Sequence, residues 1–339
     1  MLRDSDLTSS QVAQLVSRAI ELKARRRAGT ARPELAGHNL ALIFEKPSTR
    51  TRSAFEIAAA HQGARVTYLD SATLHIGELE SVCDTGQVLG RLYDGVAYRA
   101  RRQETLEEFA RRAGVPVWNA LTDRWHPTQA LADMLTVREH TAKPWDEISL
   151  AFLGDGASNI ANSLRVTGAL LGMTVRIVAP AALAGECSVT DTAADICRTT
   201  GGTVIETDDV DEGVRDADFV YTDTWVRINE PVEQWRDRVR RLLPYRVDRN
   251  LLARTKNPDV KYLHCLPAVH NTTTLVGRQI HQETGLEGAE VSDEVFGSAA
   301  SVVFDQAENR VHAITAMLVT SLTQREAPHD AVTATPGGG

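Results

Sequence analysis

Apolar positions along this chain switch repeatedly between the period of a helix and that of a buried strand. Ser9 to Arg27 places Val12, Leu15, Val16, Ile20 and Leu22 at helical spacing, with Ser10 available as a cap. Leu40 to Phe44 is a short continuous apolar run and reads as a strand, followed by an Ala-rich helix over Arg52 to Gln62. The same alternation continues through a strand at Arg65–Leu69, a helix at Glu80–Tyr93 and a strand at Val96–Tyr98. It closes with a helix at Thr105–Ala113, a strand at Val115–Trp118 and a helix at Gln129–His140. After a break at Thr141–Trp145 the pattern restarts with a strand at Ile148–Leu153, a helix at Asn159–Leu171 and a strand at Thr174–Val178. Further strands are expected at Thr203–Glu206, Phe219–Tyr221 and Tyr262–Cys265, and a last apolar helix at Val311–Leu322. Strand–helix–strand order at this spacing predicts an α/β protein of two domains, each a parallel sheet flanked by helices.

The expected division is 1–141 for the first domain and 146–310 for the second. A C-terminal helix at about 311–325 crosses back to the first domain, and a disordered tail covers 327–339. A length of 339 residues suits two cores better than one. Hydrophobic content of 42% with 24% charged residues is an ordinary globular composition. The net charge of −8 argues against nucleic acid as the main partner. No run approaches the ~18 apolar residues of a membrane span, and the N-terminus has no apolar export region. Cys83, Cys187, Cys197 and Cys265 form no CxxC pair and no Cys/His cluster, so neither a metal site nor a cofactor is expected, and a cytoplasmic location fits. The basic residues are five Lys against thirty-two Arg; the plainer reading is a GC-rich genome, and anion recognition can apply only to a few positions.

The sharpest motif is Phe44-Glu-Lys-Pro-Ser48-Thr49-Arg50-Thr51-Arg52, a strand leading through a turn into a helix. Hydroxyls and backbone N–H groups at a helix N-terminus, flanked by two Arg, suit a phosphate; a capped helix with exposed Arg is the plainer reading. Trp125-His126-Pro127-Thr128-Gln129 stands at another strand-to-helix junction, where open α/β sheets bind ligands, although a His there also serves as a structural cap. Arg99, after a short strand, points to the same edge. Gly154 to Asn159 opens a helix but lacks the dinucleotide GxGxxG spacing. Asp223 ends a strand and could hold an ammonium. Cys265 ends another, and with no base visibly paired to it ligand contact fits better than covalent catalysis. Arg310 precedes the last helix and could reach the same cleft.

In order, Ser48-Thr-Arg-Thr-Arg52, His126-Pro-Thr-Gln129, His264-Cys-Leu-Pro267 and Ser292-Asp-Glu-Val-Phe296 through Ala307-Glu-Asn-Arg310 resemble the ornithine carbamoyltransferase family, from about Leu7 to Leu322. The resemblance implies transfer of a carbamoyl group from carbamoyl phosphate to the side-chain amine of ornithine. It implies that Ser48, Thr49, Arg50 and Thr51 hold the donor phosphate. It also implies that Arg99, His126, Gln129, Cys265, Leu266 and Arg310 surround the donor, with Arg50, Arg99, His126 and Cys265 at the reacting group. Asn159 and Asp223 would hold the amino-acid end of the acceptor. Such proteins are homotrimers or multiples of trimers whose site borrows a residue from a neighbour; His75, in the loop that does this, replaces the Gln of some relatives. Small-molecule substrates, and neither nucleic acid nor membrane, are the implied partners.

One segment departs from the family. Where ornithine carbamoyltransferases carry Ser-Met-Gly, this chain has Arg227-Ile228-Asn229, which places Arg227 and Ile228 against the acceptor. An inward Arg227 about 6 Å from an ammonium, at an effective dielectric of about 20, would repel it by roughly 3 kcal/mol, near a hundredfold in affinity. That orientation favours another acceptor, such as lysine, diaminopropionate or another diamino compound. An outward Arg227 paired with Glu230 or Glu233 leaves ornithine in place. A binding protein without activity would be expected to have lost Arg50, His126 or Arg310, and all three are present.

Overall fold

The computed structural model describes residues 1–70, 74, 76–226 and 232–323. His75, Arg227, Ile228 and the expected tail at 327–339 lie outside the described residues.

In the N-terminal half, α1 (Ser9–Arg27) leads into β1 (Asn39–Phe44), α2 (Thr49–His61), β2 (Arg65–Asp70), α3 (Val82–Leu92) and β3 (Gly95–Arg99). It ends with α4 (Gln103–Ala113), β4 (Val117–Leu121) and α5 (Pro127–His140). The sheet order is β2-β1-β3-β4, all parallel. Side chains alternate across β1 as a pleated strand requires. Leu40, Leu42 and Phe44 pack with Phe55, Ala58 and Met317 on one face. Ala41 and Ile43 pack with Val96, Tyr98, Leu106 and Phe109 on the other.

The C-terminal half runs β5 (Ser149–Leu153), α6 (Asn159–Leu170), β6 (Thr174–Val178), α7 (Cys187–Thr200), β7 (Thr203–Thr207), α8 (Val210–Val214) and β8 (Phe219–Thr222). It continues with α9 (Val232–Leu242), α10 (Arg249–Arg254), β9 (Lys261–His264), α11 (Leu275–Thr284), α12 (Asp293–Phe296) and α13 (Val303–Thr323). Its sheet is again parallel, in the order β7-β6-β5-β8-β9. One core cluster bridges the halves, joining Phe152, Ile160 and Leu164 to Leu131 and Met134 of α5 and to Val12, Leu15 and Val16 of α1. The last helix starts in the second half at Val303 and buries Ile314, Met317, Leu318 and Leu322 in the first. The two-sheet α/β architecture and the crossing helix are as the sequence pattern predicts.

Several boundaries differ, each for a local reason. Thr8, not Ser10, caps α1, its side chain accepting the amide of Gln11 while Gln11 reaches back to Thr8. The second helix begins at Thr49 because Ser48 accepts the Thr51 amide as its N-cap. The fifth helix begins at Pro127, a residue suited to the first helical position because it has no N–H to leave unpaired. Arg310 does not precede the last helix; it sits two turns inside it.

In each sheet the chain order reverses direction at one point, between β1 and β3 in the first and between β5 and β8 in the second. Open α/β sheets bind ligands outside the strand ends at such points. Ser48 and Arg50 stand beyond the carboxyl end of β1 and Arg99 at the carboxyl end of β3, and Asn159 and Asp223 stand beyond the carboxyl ends of the second pair.

Candidate active site

The two strand-order reversals share one cavity of about 170 Å³. The first half lines it with Ser48, Arg50 and Thr51 from the start of α2, Arg99 from the end of β3, Leu121, and His126 and Gln129 from the start of α5. The second half contributes Asn159, Ile160, Asp223, Thr224, Cys265, Leu266 and Pro267, and the crossing helix adds Arg310. Of the residues singled out from the sequence, Thr49 is exposed at the first position of α2, beside this lining rather than in it. Leu121, Ile160 and Thr224 carry no chemical signal of their own in the sequence, and Pro267 is marked only as the end of the His264–Pro267 motif; all four line the wall. A larger cavity of about 740 Å³ lies elsewhere, against Leu7, Trp118 and Met317, and lacks this convergence of cations.

Three guanidiniums converge on the smaller cavity. Arg310 is buried and donates from Nη2 to Thr51 Oγ1 at 2.9 Å, while its Nε has no partner. Arg99 Nε is likewise buried and unpaired. Burial pushes Arg310 down to about 10, with nearby Arg50 adding to the shift. Burial, then Arg310 and Arg50, push Arg99 down to about 10. Arg50 donates from Nη2 to the Leu266 carbonyl at 2.8 Å, so it reaches from the first half to the second. Ser48 Oγ lies 3.0 Å from Thr51 Oγ1, and the two hydroxyls stand at the exposed amide end of α2. Cations crowded together and partly stripped of water are stabilised by an anion placed among them.

His126 is the N-cap residue of α5, but its ring makes no capping bond and its buried Nδ1 has no partner. Burial, then the charges of Arg310 and Arg99, hold the imidazole well below its usual range, so it is neutral at physiological pH. Its backbone N–H donates to Ser163 Oγ at 2.9 Å. Gln129 donates from Nε2 to Asp133 Oδ1 at 2.8 Å, which leaves its buried Oε1 unpaired. Asp133 also accepts from Gln306 Nε2 at 2.6 Å and Tyr221 OH at 3.2 Å. Burial nevertheless pushes Asp133 up to about 7.

The opposite wall carries the carboxylate of Asp223. Its Oδ1 accepts from Cys265 Sγ at 3.0 Å and from the Thr224 amide at 2.7 Å. Burial, then Asp223, push the Cys265 thiol well above its usual range. The sulfur is therefore a neutral donor to a carboxylate and not a nucleophile. Asn159 Nδ2 donates to the Thr122 carbonyl at 2.7 Å, fixing the start of α6 against the first half. Leu266 has φ +56, and its amide is held at 2.8 Å by His264 Nδ1. Among the described residues no group of three or more His, Cys, Asp or Glu side chains is placed to hold a metal ion.

An anion cradle, a neutral imidazole and a facing carboxylate in one interdomain cavity suit two small charged reactants held side by side. Residues 1–139 match the carbamoyl-P binding domain of the aspartate/ornithine carbamoyltransferases, and residues 146–321 match their Asp/Orn binding domain. A relative from Haemophilus influenzae (strain PittGG), described as an ornithine carbamoyltransferase, is 50% identical over 317 residues, covering 93% of this chain and 95% of its own. The ornithine carbamoyltransferase of Pyrococcus furiosus superposes with a TM-score of 0.87 at 34% identity, covering 95% of this chain and 96% of that one. The anabolic ornithine carbamoyltransferase of Campylobacter jejuni superposes with a TM-score of 0.83 at 33% identity, covering 96% and 99%. With both domains matched and relatives aligned almost end to end, the chain belongs to the aspartate/ornithine carbamoyltransferase family.

Proposed function

We propose that this protein transfers the carbamoyl group of carbamoyl phosphate to the side-chain amine of L-ornithine, giving citrulline and phosphate. The observation that carries the reading is the convergence of Arg50, Arg99 and Arg310, with no carboxylate at ion-pair distance among the described residues. It stands opposite Asp223 across a cavity sized for small molecules. The names of the relatives in Haemophilus, Pyrococcus and Campylobacter support ornithine as the acceptor.

In this reading the donor phosphate lies at the start of α2, held by Ser48, Thr49, Arg50 and Thr51, with Arg310 beneath it. Arg99 and His126 face the carbonyl oxygen, Gln129 and the Leu266 carbonyl face the carbamoyl nitrogen, and Asn159 and Asp223 hold the acceptor's amino-acid end. The neutral side-chain amine attacks the carbonyl carbon, so a new N–C bond forms and negative charge collects on the oxygen. An oriented donor at that oxygen is worth roughly 3–4 kcal/mol. The C–O bond to phosphate then breaks, phosphate leaves with the electron pair, and it accepts the proton shed by the amine. A neutral His126 suits donation to the oxygen and leaves proton removal to the phosphate.

A homotrimer or a multiple of trimers is the expected assembly. Leu79, Val88 and Leu92, 82%, 47% and 65% exposed on the segment around α3, supply an apolar surface for a subunit contact. A cytoplasmic location fits four free cysteines. The test is phosphate release, with the matching carbamoylated amine (citrulline from ornithine) as the second product, by purified protein with carbamoyl phosphate and ornithine, lysine, putrescine, 2,3-diaminopropionate or aspartate. Ornithine is expected to exceed every other amine; absence of ornithine turnover overturns the proposal.

A further inference from the structure

A buried carboxylate behind the cavity lining connects to His126 through one hydroxyl. Asp4 lies in a single 3-10 turn, Asp4–Asp6, ahead of α1, and is 3% exposed. The chain just before it is fastened to the first half: the Met1 carbonyl accepts the Asn119 amide at 3.0 Å, and the Leu2 carbonyl accepts Asn119 Nδ2 at 2.7 Å. The Asp4 side chain points the other way, into α6 of the second half. Its Oδ2 accepts from Ser163 Oγ at 2.6 Å and its Oδ1 from Thr167 Oγ1 at 3.0 Å. Ser163 Oγ in turn accepts the His126 amide at 2.9 Å. All members of the series are buried.

We infer that Asp4 is a positioning residue for the reaction, acting through Ser163 to hold the backbone of His126 at the cavity. A serine hydroxyl has one proton to give. In a helix its usual recipient is the carbonyl four residues back. The Asp4 carboxylate captures that proton instead and so fixes the rotor, leaving an oxygen lone pair directed at the His126 N–H. Once Asp4 is ionised, above about pH 7, the charge-assisted bond to the carboxylate also makes the oxygen a better acceptor. The His126 amide has no alternative intrahelical partner, because it stands at the N-cap of α5. Burial raises the Asp4 carboxyl to about 7 despite both hydroxyl donors, with Asp6 adding a minor repulsion. Two shells of exclusively local bonds would not place a carboxylate there; these bonds span 159 and 163 residues of sequence and join both halves at the site.

The role rests on the proposed reaction, and its test uses the full-length protein with two independent readouts. Asp4→Ala and Ser163→Ala are each expected to lower kcat about tenfold with a smaller change in the KM for carbamoyl phosphate, since imperfect placement of a reacting group costs rate more than binding. Asp4→Asn, whose amide oxygen still accepts from Ser163, is expected to recover most of that loss. The double variant is expected to fall no further than Ser163→Ala alone, because both lie in one series. Thr167→Val removes the other bond to Asp4 and is expected to lower the melting temperature while leaving kcat unchanged. Amide exchange at His126, followed by mass spectrometry of the peptide spanning 122–128, is expected to quicken about tenfold in Asp4→Ala and not in Thr167→Val. Additive losses in the double variant, equal effects of Thr167→Val and Asp4→Ala on kcat, or unchanged exchange at His126 would each overturn the inference. If the parent protein turns over no amine, the reaction is refuted, and the exchange experiment still decides the relay.

Discussion

Replacing Arg310 with methionine separates the energetic burden of this residue from its use. The side chain is buried, its Nε is unpaired, and its charge lies near Arg50 and Arg99. A methionine keeps most of the stem volume and removes the charge. Without ligand, the main losses are the 2.9 Å bond to Thr51 Oγ1 and a favourable field on Asp133. A hydrogen bond from a charged donor to a hydroxyl is worth about 1.5–3 kcal/mol. Removing an uncompensated buried cation is expected to return more than this, about 1–3 kcal/mol net, by the same physics that lets apolar residues replace buried ions without loss. Differential scanning calorimetry should therefore show the variant melting at or up to several degrees above the parent.

Carbamoyl phosphate should respond in the opposite direction. A charge-assisted bond to a phosphate contributes about 1.5–3 kcal/mol, so kcat/KM for the donor should fall by about 10- to 150-fold. Arg310→Lys should fall less than methionine but not match arginine, because an ammonium lacks the planar fork. Initial rates at varied donor and saturating ornithine give the ratio directly. A variant that melts several degrees lower while keeping the donor's kcat/KM would show that Arg310 serves the fold and not the ligand, and the anion-cradle reasoning would fail with it.

Three other outcomes follow from the same geometry. Cys265→Ser should keep kcat within about tenfold, because a hydroxyl can still donate to Asp223 and the thiol is not ionised; loss beyond a thousandfold in steady-state assays would restore covalent catalysis as an option. Asp4 ionises near 7 when folded and near 3.8 when unfolded, so the folded state holds the extra proton between those values and ionisation lowers stability as pH rises through them. The melting temperature of Asp4→Asn relative to the parent should therefore climb between pH 5 and pH 8, by the equivalent of about 1–3 kcal/mol, and a flat difference would contradict the burial of that carboxyl. Gly90→Ala would put a Cβ 1.6 Å from the Ala113 carbonyl oxygen, driving α3 and α4 apart; chemical denaturation should show a loss of about 1–3 kcal/mol, and an unchanged midpoint would mean the pair is not packed as described.

The parallel-sheet elements are legible because their apolar runs are short, continuous and separated by helical patterns of sufficient length. What escapes is helices whose buried stripe is thin. Residues 232–242 set Trp235, Val239 and Leu242 at helical spacing among many charges, and 187–200 bury only Val189 and Ala193, so each helix is marked by few apolar positions. Cap residues also shift the apparent starts: Pro127 and Ser48 belong to the geometry of helix entry, and their polar or cyclic side chains interrupt the apolar pattern. Site residues carried by dense motifs, such as Ser48 to Thr51 and His126 to Gln129, can be found from chemistry. Asp4 cannot, since one aspartate among the polar residues of an N-terminus looks solvated until tertiary structure buries it.

The arrangement of charge explains why so little of the site can be inferred from any single segment. Arg50, Arg99 and Arg310 lie far apart in sequence, and no local structure would hold three guanidiniums together, because their mutual repulsion rises as water is removed. They are kept in place by the sheet, the α2 cap and a helix packed across both halves, whose apolar contacts do not depend on the ions. Among the described residues the carboxylate whose charge acts on Arg310 is Asp133, itself engaged by Gln129, Gln306 and Tyr221, while Asp223 on the facing wall is held by Cys265 and Thr224. The protein thus holds its carboxylates with neutral donors and leaves its cations under-compensated. A doubly charged anion gains from all three at once, whereas a neutral or singly charged analogue gains from fewer. Discrimination in favour of a phosphate donor is then a consequence of how the sheets and the crossing helix pack.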